Sequence, residues 1–197
     1  MAFVDYGGIQ TPFPSSDPDG GLDPANDDQI FARFFTCPSS GNQVINKIGG
    51  FIERGASPTK FRCLIYTDNA GVPGTIVADS LTPEITCSLG SWVYHIYETK
   101  PVLVGGTVYW LAYWGSSTGG LYDLTVSGSA YDAGNSKGSA QVYSSGGTPS
   151  GESWSALNNK FQIAAEYEEE SGGGGPVSPS PAGLFLFSPP YGPGRGI

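Results

Sequence analysis

The sequence predicts an all-β protein: an antiparallel two-sheet β-sandwich of jelly-roll type, with extended N- and C-terminal arms. Short stretches with a period of two recur along the chain, as is typical of half-buried strands. Glycine and proline make up 23% of the chain, 30 and 16 of 197 residues, about twice their ordinary share of ~12%. No window carries apolar residues at sustained helical spacing, so we expect many short strands joined by tight turns.

The hairpin predicted over Lys60–Ser80 is the clearest element of the body. Residues 61–66 (FRCLIY) alternate between two faces, which is the pattern of a strand. Residues 68–71 (DNAG) tolerate positive φ, and Pro73 and Gly74 add a second turn signal. The β-branched run that follows predicts the returning strand.

The other predicted strands follow at regular spacing, with Gly, Pro, Asn and Asp between them. They cover residues 30–37, 44–54, 85–87, 92–97, 101–104, 107–114, 121–126, 139–143 and 160–167. Gly49 and Gly50, in the middle of the second of these strands, predict a bulge or a tightly packed crossing. Short, evenly spaced strands are typical of sandwiches and jelly rolls.

Composition divides the chain into a body and two arms. The sandwich is predicted over residues 28–170, and residues 1–27, rich in Pro, Gly and Asp, are predicted as an extended arm rather than a folded element. Carboxylates between Asp17 and Asp28 lie around a Gly turn, an arrangement that can chelate calcium. The bidentate Glu that ends an EF-hand loop is missing, so we interpret this run as a solvated acidic linker and predict no metal.

Residues 171–197 are predicted as a C-terminal arm that carries an apolar strand. Residues 171–176 (SGGGGP) predict a flexible hinge, and further prolines keep the rest extended. An apolar run on such a tether is an aggregation hazard in water. We therefore predict that the run contacts a partner by adding a strand to a sheet edge, of its own body or of a neighbour. The partner-contact residues are Leu184, Phe185, Leu186 and Phe187.

The net charge of −9 is unevenly distributed along the chain. Ten of the 18 acidic residues lie in Asp5–Asp28 or Glu166–Glu170, whereas residues 29–165 carry eight acidic and eight basic residues. A near-neutral body lacks the clustered basic face that nucleic acid or an anionic membrane requires. No run reaches membrane-spanning length, and the first residues do not resemble a signal peptide. We predict neither nucleic acid nor membrane as a partner.

Catalytic groups are sparse, and we predict a protein that is not an enzyme and has no cofactor. The single histidine, His95, lies within an alternating strand, where a structural role is more common than general-base catalysis. Glu84, Glu98, Asp123 and Asp132 are available for a glycosidase pair, but the sequence does not pair them.

Three cysteines, Cys37, Cys63 and Cys87, have no CxxC spacing, so a zinc site is not expected. Cys63 is predicted to be a small buried apolar group within its strand. One disulfide bridge among the three stays open as an alternative.

Aromatic residues fall on both faces of the strand at 107–114 (TVYWLAYW). Tyr109 and Tyr113 share one face, and Trp110 and Trp114 share the other, so one set must leave the core between the sheets. Trp110 and Trp114 are the candidate platform for a glycan or for protein, where a sugar, a loop, the tail or a neighbour would meet them. We prefer protein contact to sugar stacking.

Part of the body resembles a jelly-roll module of carbohydrate-binding type, as found in tailed-phage virion proteins and bacterial surface proteins. The similarity lies in residues 65–74 (IYTDNAGVPG), in Trp92 and in residues 106–112 (GTVYWLA). It covers about 60 residues of the body and neither arm, and it implies a fold rather than a site. The resemblance does not imply any catalytic residues.

These observations predict a non-enzymatic structural subunit of a large assembly, with a phage virion component (a decoration or tail-associated protein) as first choice. Such a subunit would be made in the host cytoplasm and would lace to copies of itself, or to other structural proteins, through its arms. One alternative is an extracellular filament or surface subunit that assembles by C-terminal strand donation, which needs a secretion route. Another is a lectin-like module that binds surface glycans.

Overall fold

The computed structural model of the chain describes residues 7–15, 21–22, 29–38, 41–53, 60–86, 91–115, 120–123, 136–141, 143–144, 146–157 and 161–170. Every regular element in these ranges is a β-strand, which confirms the predicted all-β class. In the same ranges, no helix is long and apolar enough to cross a membrane.

Fourteen strands form the described body. They are β1 (Gly8–Gln10), β2 (Gly21–Leu22), β3 (Gln29–Thr36), β4 (Gln43–Glu53), β5 (Lys60–Asp68), β6 (Pro73–Ile76), β7 (Ile85–Thr86), β8 (Ser91–Ile96), β9 (Val102–Leu103), β10 (Val108–Gly115), β11 (Gly120–Asp123), β12 (Ser136–Ala140), β13 (Ser155–Leu157) and β14 (Ile163–Glu169). β5 and β6 form the predicted hairpin, and its turn places Ala70 and Gly71 at positive φ, 53° and 84°.

The strands form two sheets of seven, so the predicted two-sheet sandwich is confirmed. The first sheet has the order β1-β14-β4-β11-β2, and β8 and β9 also pair with β4. The second has the order β13-β12-β3-β10-β5-β6, and β7 also pairs with β5. The chain switches repeatedly between the sheets, as in a jelly roll, and every pairing except that of β1 with β14 is antiparallel.

The main core lies between the sheets. One face of β5 supplies Phe61, Cys63 and Ile65 to it, and the facing sheet supplies Ile45 and Ile48 among others. All five are fully buried. The alternation read along residues 61–66 therefore separates the inner face from the outer face of β5, as a period of two requires.

A second apolar cluster covers the outer face of the second sheet. It contains Ile30, Ala32, Leu64, Tyr66, Trp110, Ala112 and Trp114, all buried. Tyr143 and Trp154, from the segment that follows β12, pack against it. Both faces of the second sheet are therefore apolar. The face away from the main core can be apolar because a segment of the same chain covers it.

Residues 7–15 belong to the folded body, although the sequence places them in the N-terminal arm. β1 pairs with β14 in parallel, with Gly8 opposite Ala164. Phe13 is only 8% exposed; its N–H donates to Glu166 Oε2 at 2.7 Å, and its ring meets the Tyr94 ring with centroids 5.3 Å apart. Proline and glycine content does not reveal this docking, because it depends on pairing with a strand at the far end of the chain.

Gly49 marks the tightly packed crossing that the Gly pair predicts. A Cβ atom at Gly49 would lie 2.1 Å from Val93 O and 2.7 Å from Tyr94 Cα, both in the backbone of β8. The bulge of the first sheet lies nearby, because the register between β14 and β4 shifts after Glu166 and leaves Asn46 as the extra residue. The glycine pair therefore marks the crossing, whereas the bulge lies at Asn46.

Several predicted features lie outside the described residues. They are the acidic run's Asp17, Asp19, Asp23, Asp27 and Asp28, the third cysteine Cys87, and the partner-contact residues Leu184, Phe185, Leu186 and Phe187.

Candidate interaction surface

The exposed apolar side chains of the described body are concentrated on one sheet edge. Among the described residues, the exposed large hydrophobic side chains are Tyr94 (46%), Ile96 (63%), Val102 (45%) and Val104 (56%). The first two belong to β8, Val102 belongs to β9, and Val104 follows β9 directly. We call these four residues, with the backbone of β8 and β9, the edge surface.

The two strands of the edge surface act as one interrupted strand along β4. Tyr97 N donates to Asn46 O and Ile45 N donates to Pro101 O, both at 2.9 Å. These bonds continue the ladder between the end of β8 and the start of β9, while residues 98–100 loop out. The edge is therefore a single line of backbone running from Ser91 to Val104.

Among the described strands, only β4 flanks this line. β8 and β9 each pair with β4, and no other described strand pairs with either of them. Strand edges with outward apolar side chains readily accept a further strand, so soluble proteins usually shorten, charge or cover them. Here the apolar residues lie on the edge itself, which makes it the most suitable docking surface in the described body.

A pocket of about 350 Å³ adjoins β8 at this edge. It is lined by Asp79, Leu81, Pro83, His95, Tyr97, Glu98 and Thr99. Its floor is held in place because Tyr97 Oη donates to Ser80 O at 2.6 Å and Thr82 N donates to Cys63 O at 2.9 Å. An added strand would therefore find both a backbone edge and a side-chain pocket, the two parts of β-augmentation.

His95 lies in this pocket and should make the body less stable in acid. Partial burial lowers the pKa of His95 below its ordinary value of 6.5, and the Glu98 carboxylate opposes this only in part. Between the lowered pKa and 6.5 the unfolded chain binds more protons than the folded chain, so stability falls as the pH drops through this window. We expect His95→Asn to flatten the pH dependence of urea unfolding just below pH 6.5.

The matched variant is Glu98→Gln. It removes the charge that raises the pKa of His95, so it should steepen the same dependence, with the Asp79 carboxylate still in the pocket. A pH profile unchanged by either substitution would contradict this assignment.

A second cleft, of about 540 Å³, lies at the turn of the β5–β6 hairpin. Two carboxylates line it, and each is held by a buried aromatic donor. Trp110 Nε1 donates to Asp68 Oδ1 at 2.7 Å, and Tyr66 Oη donates to Glu152 Oε1 at 2.8 Å. His95 lies in the other pocket, so the structure does not bring the histidine together with these carboxylates.

The predicted platform residues, Trp110 and Trp114, lie buried in the apolar cluster on the outer face of the second sheet. Trp110 is 1% exposed and Trp114 is 2% exposed. Trp114 Nε1 donates to Gln141 O at 3.2 Å, and its ring meets the Tyr143 ring with centroids 5.2 Å apart. The strand pattern left four possible contacts for these rings: a sugar, a loop, the tail or a neighbour. The structure shows that they contact a loop of the same chain. The chain's own segment thus covers Trp110 and Trp114, and their use as a platform for a glycan or a partner stays a prediction.

Cys37 and Cys63 are both buried, and no disulfide bridge joins them to each other. Burial raises the pKa of Cys37 to about 11, so this thiol is protonated at neutral pH. Cys63 lies in the main core, as predicted from its strand.

Sequence reasoning did not single out the edge surface. Residues 92–97 (WVYHIY) and 101–104 (PVLV) are apolar at nearly every position, so their pattern does not tell an inner from an outer face. The high apolar content of these two strands was itself a signal of a contact surface, because a strand that is apolar on both faces needs to be covered on both faces.

A comparison of the chain with protein-family models, with curated proteins and with solved structures finds no significant match to any of them.

Proposed function

We propose that this protein is a non-enzymatic structural subunit of a large assembly, a decoration or tail-associated component of a phage virion. In this proposal the sandwich is a rigid block, and copies associate through the edge surface. The observation that carries it is the placement of all four exposed large apolar side chains of the described body on one sheet edge. Contiguous exposed apolar area of this kind marks interaction sites in soluble proteins.

Three further features support a role in assembly. Two folded sheets with separate apolar clusters make a rigid body. Residues 171–197 form an extension rich in Gly and Pro, which suits contacts that reach between subunits. The β5–β6 hairpin and β10 carry most of the resemblance to jelly-roll modules of tailed-phage virion proteins and of bacterial surface proteins, and of these two settings we propose the phage virion.

Replacing Ile96 by lysine should weaken self-association about tenfold or more. Full burial of an Ile side chain contributes about 1.5–3 kcal/mol, and a charge at an edge strand also opposes strand addition. Size-exclusion chromatography with light scattering, over a range of concentrations, measures the change. We expect wild-type protein to form species larger than a monomer.

Thr75→Lys is the matched control, because Thr75 is also an exposed strand residue but lies on the second sheet, away from the edge surface. It should leave association unchanged. Wild-type protein that stays monomeric at every concentration would contradict the proposed function.

A further inference from the structure

We infer that the edge surface binds the apolar segment Gly183–Ser188 of a neighbouring copy, which adds as a strand beside β8 and β9. The inference rests on the proposed function, because it names the partner of the same surface. It places the chain's own C-terminal arm, rather than a second sheet edge, in the contact between copies.

The side chains of the segment match the two sides of the edge. In a strand, Leu184 and Leu186 point to one face, and Phe185 and Phe187 point to the other. On the outer face the added strand would meet Tyr94 and Ile96, which are exposed there.

On its other face the added strand would reach the pocket beside β8, whose apolar wall is formed by Leu81, Pro83 and Tyr97. The pocket measures about 350 Å³, whereas a cavity of about 150 Å³ already holds a benzene molecule. The volume of the pocket is therefore sufficient for a phenylalanine ring of the segment.

The point where the chain leaves the body is close to the edge. Glu170 N donates to Asn42 O at 3.0 Å, at the end of β4 where β14 and β9 flank it. The edge is two strand spacings from β14, about 10 Å. Residues 171–182 span up to about 40 Å when extended. The linker is therefore long enough to reach the same edge or that of an adjacent copy.

The segment could bind the edge surface of its own body or that of an adjacent copy, and the proposed function favours the adjacent copy. Closure on the same body would bury the segment and the edge within one molecule, and it would remove the exposed apolar surface of the subunit. Donation makes the same contacts and joins copies head to tail, because the donating and accepting surfaces are different. An assembling subunit therefore donates its segment.

A complementation experiment tests this donation. The edge variant carries Ile96→Lys and Val102→Lys and keeps the segment. The tail variant has serine in place of Leu184, Phe185, Leu186 and Phe187 and keeps the edge. We expect each variant alone to be monomeric by light scattering, and an equimolar mixture to form one-to-one pairs, because the edge variant can still donate to the intact edge of the tail variant. Association in the mixture should be at least tenfold tighter than in either variant alone.

A variant that carries all six substitutions is the control, since it should pair with neither single variant. Circular dichroism verifies that each variant folds. A peptide of residues 181–190 provides a measurement on wild-type protein alone: it should dissociate the oligomers, whereas a shuffled peptide of the same composition should not.

The outcomes separate this inference from the proposed function. A tail variant that assembles like wild type would show that copies pair edge to edge, which overturns the inference and leaves the proposed function standing. A monomeric wild type would overturn both. In that case, protection of the β8 and β9 amides from hydrogen exchange in wild type, lost in the tail variant, would show that the segment closes on its own body.

Discussion

Replacing Trp110 by alanine should lower the free energy of unfolding by about 3–5 kcal/mol, the usual cost of removing a large aromatic side chain from a packed core. The indole is 1% exposed and lies in the apolar cluster on the outer face of the second sheet. Its ring meets the Phe34 ring with centroids 5.6 Å apart. Its N–H also donates to Asp68 Oδ1 at 2.7 Å. Urea unfolding followed by circular dichroism measures the loss.

Two comparisons assign the effect to packing. Trp110→Phe keeps most of the ring but loses the N–H donor, and it should cost about 1 kcal/mol, because the exposed Asp68 carboxylate can turn to water instead. Trp154→Ala removes a half-buried ring of the cover and should cost clearly less than Trp110→Ala. A Trp110→Ala protein within about 1 kcal/mol of wild type would mean that the outer cluster is not a packed core.

Replacing Gly49 by valine should destabilise the protein by about 3 kcal/mol, at the upper end of the cost of overfilling a packed site. The first added carbon would lie 2.1 Å from Val93 O. The clash is with backbone, so it cannot be relieved by a side-chain rotation. β8 would have to move away from β4, which would also displace Tyr94 and Ile96 of the edge surface. Thermal and urea unfolding give the stability change, and hydrogen exchange at β8 locates it.

Gly146→Ala is the control for this substitution. A Cβ atom there meets nothing within 4 Å, so the change should be neutral within about 0.5 kcal/mol. Equal effects of the two substitutions would contradict the close approach of β4 and β8.

The sequence predicts the fold well where both the turn and the alternation are local. The β5–β6 hairpin needs only residues 60–76, and its turn is marked in the sequence by Asp68, Asn69 and Gly71. β13 could not be predicted from a local pattern, because Ser155–Leu157 has no alternation and depends on its pairing with β12. β1 could not be predicted locally either, since its pairing partner β14 lies some 150 residues away in the chain (Gly8 opposite Ala164).

The candidate site could be predicted less completely than the fold. The parity of Trp110 and Trp114 shows that both leave the main core, but the covering residues Tyr143 and Trp154 come from a distant segment. The edge surface depends on which strands end up side by side along β4, and that order is a property of long-range pairing. A local pattern therefore identifies an apolar strand, but it does not show whether another strand covers it.

The parallel pairing of β1 with β14 has a mechanical consequence. Gly8 lies opposite Ala164 and Gln10 opposite Glu166, so the chain enters β1 at one end of this pair and leaves β14 at the other. Tension applied through the two arms would pull the strands past each other along their own axes. The backbone hydrogen bonds between them lie across that direction, so they would bear the load together rather than open one at a time. The bond from Phe13 N to Glu166 would add to this resistance. A body joined to its neighbours at both ends would thus be held in shear, the geometry in which a short strand pair withstands force best.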